Sequence, residues 1–398
     1  AARGASTEVE ELRSELAATQ ATLAATQAAL AELTRRVESL GAATAPALAE
    51  GATARIPPVN ADSPAVSFVV DAQGRSDTEG EGAEYLLGSA ELFISAPIDP
   101  FLRGYASING TTEEGFDVEE AALVTTALPF DTTAKGGRFF ADVGRLSHWH
   151  DEALPFVDRP PSIDRLIGGE SGAEGAEVSW LVPLPFFAQI TGGSYNSIGS
   201  ERREEPDEFG TQPDRSHASN LTWLARPLTY LDLTETASVE LGGTFAWRPA
   251  EDRRNLYGVD VTFRHEPGTS GFYQGTVLAG EWFWNDEDFV DVALAVDPVT
   301  GDPILGSGTF HREGAYAYVE SFFGRRYSAG LRFDYSEAPF GDLDLMRTYS
   351  AFLTWKPSEF HRLRIQGDHI DLVSPTDNRV TVQWTAFMGS HVHGFQNR

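Results

Sequence analysis

The sequence predicts an all-β membrane barrel of about 16 antiparallel transmembrane strands, preceded by an N-terminal α-helical coiled coil. Three observations carry that expectation. From Ala65 onward, segments of about ten residues alternate apolar and polar side chains. Aromatic residues gather near the ends of those segments. Ahead of them, residues 1–40 follow a seven-residue repeat instead.

Successive side chains of a strand point to opposite faces, so Tyr349, Ala351, Leu353 and Trp355 share one face while Thr348, Ser350, Phe352 and Thr354 share the other. Val380, Val382, Trp384, Ala386 and Met388 stand in the same way against Thr381, Gln383 and Thr385. Each strand therefore has one greasy face and one wet face. No stretch is long and apolar enough to form a membrane-spanning helix. Many two-faced strands fit a bilayer only as a closed barrel, because an open edge would leave backbone groups unpaired in hydrocarbon. A water-soluble β sandwich is the competing architecture. It requires a core on the side of Tyr257, Val259, Val261 and Phe263, and of Val239, Leu241, Phe245 and Trp247, throughout.

Taken in order, residues 1–40 read as a rod. Val9, Leu12, Leu16, Thr19, Leu23, Thr26, Leu30, Leu33, Val37 and Leu40 are spaced alternately by three and four, the seam of a coiled coil. Within it, AATQATL from Ala17 is followed at once by AATQAAL from Ala24. So narrow a seam does not bury itself on a lone helix and calls for identical partners; the alternative is one amphipathic helix lying on its own barrel. At 1.5 Å rise per residue the rod would span roughly 50 Å. Residues 41–64, rich in Ala, Gly, Pro and Thr, read as a linker. The barrel is expected over 65–398.

Candidate strands fall near 65–73, 85–95, 100–109, 115–126, 135–146, 176–183, 186–194, 218–226, 237–248, 255–264, 272–284, 315–323, 325–335, 345–356, 359–371 and 379–389, an even number as bacterial barrels require. Tight joints such as Pro183 to Pro185, Gly324 and Lys356 to Glu359 alternate with longer polar stretches. The long ones are 74–84, 147–175, 195–217 and 286–314. Short turns are expected on the periplasmic side and long loops outside.

Composition narrows the class. The 398 residues are 41% hydrophobic and 11% aromatic with 38 Gly, a profile of an ordered chain. A net charge of −29 excludes nucleic acid, whose phosphates call for Lys and Arg. Positive charge is almost all Arg, with Lys confined to Lys135 and Lys356. The absence of Cys fits an exported protein, and the Ala-Ala start suggests one already trimmed by a signal peptidase. The expected location is the outer membrane of a Gram-negative-type bacterium, with the coiled coil in the periplasm.

If the apolar faces meet lipid, the opposite faces meet the lumen. That set holds Arg103, Arg138, Arg226, Arg264, Arg332, Arg362 and Arg364 with Glu91, Asp142, Glu177, Glu240, Asp260, Glu281, Asp334 and Asp368. Facing Arg and carboxylate make a transverse field that orients water and small polar solutes. The alternative is that these charges are ion pairs filling a plugged barrel. The constriction is expected in 147–175, where Trp149, Asp151, Asp158, Arg159, Asp164 and Arg165 and two prolines suggest a shaped loop turned inward; an outward cap is the other reading. His148 and His150, and again His391 and His393, are spaced to chelate Zn or a similar ion, although neither pair has further ligands nearby in sequence. No cofactor is expected beyond loosely bound Ca or Zn. No phosphate-binding Gly loop, nucleophile elbow or HExxH motif is present, so the chain reads as no enzyme.

The stretch FDVEEAALVTTALPFDTTAKGGRFFADVGR resembles the early hairpin of bacterial general and phosphate-selective porins. GRLSHWHDEALPFVDRPP, WKPSEFHRLRIQ and VQWTAFMGSHVHGF resemble a related group of outer-membrane barrels. The resemblance covers most of 65–398 and implies a 16-stranded trimeric pore with an inward loop. Two departures stand out. Phosphate-selective members line their channel with Arg and Lys ladders, whereas here Lys is scarce and carboxylates are interspersed. The terminal aromatic usual in barrel proteins is displaced to Phe395.

Three functions follow. The first is a trimeric porin for passive diffusion of small hydrophilic solutes and ions, in contact with the lipid bilayer and its outer-leaflet lipids. The second is a structural anchor, tether or adhesin, with a plugged barrel and the coiled coil reaching cell-wall material. The third is a metal-ion (Zn) uptake barrel.

Overall fold

The computed structural model describes residues 64–78, 82–112, 115–199, 218–249, 253–267, 274–296, 303–337, 345–372 and 376–389. The expected coiled-coil seam, the linker over 41–63, and His391 and His393 lie outside the described residues. Among the described residues no helix is long and apolar enough to cross a membrane, which says nothing of strands.

The strands are β1 (Ala65–Asp77), β2 (Ala83–Pro97), β3 (Leu102–Thr111), β4 (Gly115–Thr125), β5 (Thr132–Phe140), β6 (Gly172–Leu181), β7 (Phe187–Ile198) and β8 (Thr222–Thr234). They continue with β9 (Ala237–Arg248), β10 (Arg254–His265), β11 (Gln274–Val296), β12 (Pro303–Phe323), β13 (Tyr327–Ser336), β14 (Met346–Ser358), β15 (His361–Asp371) and β16 (Asp377–Gly389). Each pairs antiparallel with its sequence neighbours, and β1 pairs with β16 from Ser67↔Gly389 to Asp77↔Arg379, so the sixteen strands close into one barrel. Closure gives every wall strand a partner on both edges.

The polarity of the wall is inverted relative to a soluble protein. On β14 the buried residues are Thr348, Ser350, Phe352 and Thr354, and the exposed ones are Tyr349, Ala351, Leu353 and Trp355. On β16 Thr381, Gln383 and Thr385 are buried, while Val380, Val382 and Trp384 are exposed. Apolar side chains that face outward in this alternation suit hydrocarbon and not water. Aromatic pairs edge the outer face: Tyr327 stacks with Trp355 at one end of β13 and β14, and Phe333 meets Tyr349 near the other. On each strand the two levels are six residues apart, roughly 20 Å at 3.3 Å per residue. Girdles at that separation bracket an apolar band of about the height barrels present to lipid.

Several expected boundaries need correction. β5 stops at Phe140 and not at 146, and β6 begins at Gly172, so the long connection is 141–171 in place of 147–175. The chain leaves the wall where Ala141 N donates to Ser171 O at 2.9 Å, closing the neck of the excursion. The stretch 286–314 is mostly strand: β11 and β12 stay paired from Gln274↔Phe323 to Val296↔Pro303. Past Glu287, the last β11 residue paired to β10, and Gly314, the first of β12 paired to β13, this hairpin has no neighbouring strand among the described residues. A hairpin beyond the wall has two wet faces, so its sequence does not alternate and reads as loop. β1 and β2 likewise extend into 74–84, and β8 begins at Thr222.

Leu353 is half exposed on the outer face between the two aromatic levels. Leu353→Arg is expected to cost about 2–4 kcal/mol of folding free energy in lipid vesicles, as for cations placed near a bilayer midplane, measured by urea titration of Trp fluorescence. A cost near zero would remove that face from hydrocarbon.

Candidate functional site

The buried faces of the strands converge on the segment 141–171. It contains a 3₁₀ turn (Asp151–Ala153) and one short helix, α1 (Pro161–Ile167). Pro161 suits the first helical position because its missing N–H would have no intrahelical partner there. Gly168, at φ 92°, ends the helix in the left-handed conformation with its N–H bonded to Asp164 O. Leu146, Leu154, Phe156, Ile163, Leu166 and Ile167 are almost wholly buried and pack with wall residues Phe283, Tyr316, Tyr318 and Phe352. α1 lies against Gly314 of β12, where any Cβ would overlap Ser162 and Leu166.

Irregular backbone away from water needs partners for its N–H and C=O groups, and polar wall residues supply them strand by strand. Gly144 N donates to Thr244 Oγ1 at 3.0 Å and Arg145 N to Glu281 Oε1 at 2.9 Å. Arg364 donates to Phe156 O at 2.5 Å and Leu154 O at 3.0 Å, and Val157 N donates to Gln366 Oε1 at 3.0 Å. Arg332 donates to Asp158 O at 2.9 Å. Arg254 donates to Leu166 O. The segment is thus bonded to β9, β10, β11, β13 and β15.

Charges reinforce these seats. Asp158 lies 3.1 Å from Arg332 and 2.7 Å from Arg379. Burial works against the Asp158 carboxylate, but those two guanidiniums outweigh it and hold its pKa below the ordinary value. Asp142 sits past the end of β5 and not on a strand; its Oδ1 is 3.1 Å from Arg226 Nε, and Arg226 also pairs with Asp260 at 2.9 Å. Arg145 pairs with Glu240 at 2.9 Å, and Arg264 approaches the same carboxylate at 3.4 Å. Burial pushes the pKa of the His148 imidazole down to about 4, so it is neutral at pH 7.

The expected residues separate into distinct surroundings. Arg332 pairs with Asp334 at 2.7 Å, and Asp368 is 3.4 Å from Arg379. Arg362 donates to Thr385 Oγ1 at 3.1 Å, Arg138 pairs with Asp117 at 3.1 Å, and Arg103 lies 5.9 Å over the Tyr105 ring. Of the residues expected at a constriction, Trp149 packs beneath Arg145 at 5.3 Å. Arg159 turns back on its own segment: it donates to Leu146 O, Trp149 O and Asp151 Oδ1 and lies 3.1 Å from Glu170. Asp164 caps through its carbonyl, and Arg165 reaches Ser336 O at 3.5 Å.

His148 and His150 do not chelate one ion together. His148 Nδ1 lies 3.5 Å from Val143 O, whereas His150 points to Glu119, Glu120 and Glu91. The expected inward carboxylates included none on β4 (Gly115–Thr125). Ser107 and Ile108 of β3 pair with Glu120 and Val118, so Glu119 is an extra residue bulged out of β4, and both Glu119 and Glu120 reach the His150 ring. Gln366 and Arg379 were also missed. Both follow the alternation of their strands, which was signal enough to find them.

Arg364 is the pivotal donor, since two backbone carbonyls depend on it. Arg364→Ala leaves each without that partner, at about 1–3 kcal/mol per buried unsatisfied group. Amides of residues 153–158 are expected to exchange with deuterium faster while β1 and β16 keep their protection; unchanged exchange would show that the segment is seated by other means.

No protein-family model matches the chain. An uncharacterized protein of Aquifex aeolicus (strain VF5) is 26% identical over 340 residues, covering 77% of this chain and 68% of that protein. Among solved structures, an anion-selective porin from Comamonas acidovorans is similar with TM-score 0.54 and 11% identity, over 82% of this chain and 99% of that one. The outer membrane channel DcaP of Acinetobacter baumannii gives 0.53 at 11% identity, over 82% and 97%. Salmonella typhi OmpF, in a complex with daunomycin, gives 0.52 at 10% identity, over the same shares. At such identities the likeness is one of fold. The chain has the closed, sixteen-stranded antiparallel barrel fold of outer-membrane porins.

Proposed function

We propose that this chain is an outer-membrane porin through which small hydrophilic solutes and ions diffuse passively, with the segment 141–171 narrowing the bore. One observation carries the proposal: a closed wall whose outer face is apolar encloses an inner face of Arg, carboxylate, Ser and Thr. A polar interior in an apolar shell is the arrangement of a water-filled pore. The barrels of similar fold include proteins described as a porin and as a channel, which supports the same reading. The proposed pore-lining set is Arg103, Arg138, Arg226, Arg264, Arg332, Arg362, Arg364, Asp142, Glu240, Asp260, Asp334 and Asp368, and the proposed assembly is a homotrimer joined in part by the coiled coil over 1–40.

A second reading has its own support. Arg226, Arg332, Arg364, Asp260 and Asp334 are each less than 6% exposed, as in a barrel filled by its own segment and serving as an anchor or tether. Planar bilayers separate the two. Stepwise conductance from the purified protein is expected for the porin, and silent insertion would sink it in favour of the anchor. In a salt gradient, Arg362→Ala combined with Arg364→Ala is expected to move the reversal potential toward cation preference. No movement would take both guanidiniums out of the ion path.

A further inference from the structure

Four carboxylates converge on one imidazole at the start of the segment 141–171. His150 is 2% exposed and precedes the 3₁₀ turn (Asp151–Ala153), so Glu152 follows it within the same turn. Its ring leans on Phe140, with centroids 4.8 Å apart. Nδ1 lies 3.2 Å from Glu119 Oε2 and 3.5 Å from Glu91 Oε2, and Nε2 lies 3.0 Å from Glu120 Oε2. Glu91, His150 and Glu152 each offer one ligand atom, and these atoms all lie within 4.8 Å of one another.

The neighbouring carboxylates divide the available donors, with the single Ser107 hydroxyl hydrogen shared between Glu91 and Glu119. Glu120 accepts from Tyr105 Oη at 3.1 Å and from Phe140 N at 3.1 Å. Glu119 accepts from Asn109 Nδ2 at 2.7 Å and from Ser107 Oγ at 3.3 Å. Glu91 uses only Oε1, which accepts from Ser107 Oγ at 2.8 Å. Its Oε2 is buried, accepts no hydrogen bond, and points at the Nδ1 side of the imidazole in a residue only 1% exposed. His150 sits among four carboxylates, with Lys135 acting on Glu120 and Arg362 on Glu152 from beyond the cluster. Excess like charge removed from water is costly.

We infer that Glu91, His150 and Glu152 form a binding site for one divalent first-row transition-metal ion such as Zn(II). One imidazole with carboxylates and no sulfur suits borderline ions of this class, and imidazole disfavours Ca, which takes oxygen ligands. Two donors bound at about 2.0–2.2 Å in a tetrahedral site stand roughly 3.4 Å apart, so side chains whose ligand atoms now lie within 4.8 Å of one another draw in by about 1 Å on the ion. The Nε2 contact to Glu120 is the second half of the arrangement. A carboxylate that accepts the distal N–H of a histidine fixes its tautomer and frees the other nitrogen for the metal. Binding exchanges the Nδ1 proton for the ion, which neutralises charge and ties the segment to β2.

The test uses the purified full chain in detergent, stripped with a chelator, loaded with ZnCl2, desalted and assayed for zinc per chain. One zinc per chain is expected, with His150→Ala, Glu91→Gln and Glu152→Gln each weakening binding more than about ten-fold and Glu120→Gln weakening it by about ten-fold or more. His148→Ala and the double change His391→Ala with His393→Ala are expected to keep it. Glu91→Gln is nearly isosteric and keeps an oxygen for Ser107, so it decides the matter if His150→Ala does not fold. The proposal is overturned if the stripped protein takes up no zinc, if Glu91→Gln binds as tightly as the parent, or if uptake is lost with His391 and His393.

Discussion

Backbone pairing across the β1–β16 seam is the constraint on which the rest of this molecule depends. In hydrocarbon an unpaired N–H or C=O has no water to fall back on, and each costs several kcal/mol. Fifteen hairpin-type pairings leave two free edges, and only the sixteenth, from Ser67↔Gly389 to Asp77↔Arg379, removes them. Once the cylinder closes, the period-two geometry of a strand assigns every side chain to lipid or to the interior. Thr381, Gln383 and Thr385 then have to be inside because Val380, Val382 and Trp384 are outside.

That assignment creates a second problem, which the segment 141–171 resolves. An interior lined by guanidiniums and carboxylates has to be solvated or paired. Here much of it is paired: Asp158 between Arg332 and Arg379, Asp142 beside Arg226, and Glu240 between Arg145 and Arg264. Buried pairs of this kind contribute little net stability, since desolvation offsets most of the attraction, but losing one partner strands the other. Their effect is to specify position. Apolar packing around Phe156, with Tyr318 and Phe352 edge-on at 5.4 and 6.0 Å, supplies the attraction that the charges aim.

The wall was legible in the sequence because each strand inside the membrane carries two contrasting faces. The alternation at Tyr349–Trp355 and at Val380–Met388 gave orientation as well as strand identity, and the strand number followed. Legibility ended wherever that contrast ended. Asp286 and His311, paired at 2.7 Å where the β11–β12 hairpin leaves the wall, read as loop because polar, exposed side chains there break the alternation. Residues 141–146 read as a continuation of the strand that ends at Phe140, where the chain turns away. The site was less legible than the wall. Alternation found Arg332 and Arg364 but not what they hold, since backbone carbonyls such as Leu154 O and Phe156 O leave no trace in a sequence. The two histidines looked like a pair because they are two residues apart, yet an irregular segment does not keep strand geometry, and they diverge.

The neck at Ala141 and Ser171 separates container from contents. β5 and β6 pair directly, up to Phe140↔Gly172, so the cylinder is continuous whether or not anything occupies its hollow. The intervening residues are an insertion at a hairpin tip, attached by neighbouring points on one rim. Drift in that insertion can therefore retune the passage, or seal it, while the lipid-facing shell stays unchanged. One scaffold can in this way yield both conduits and stoppers.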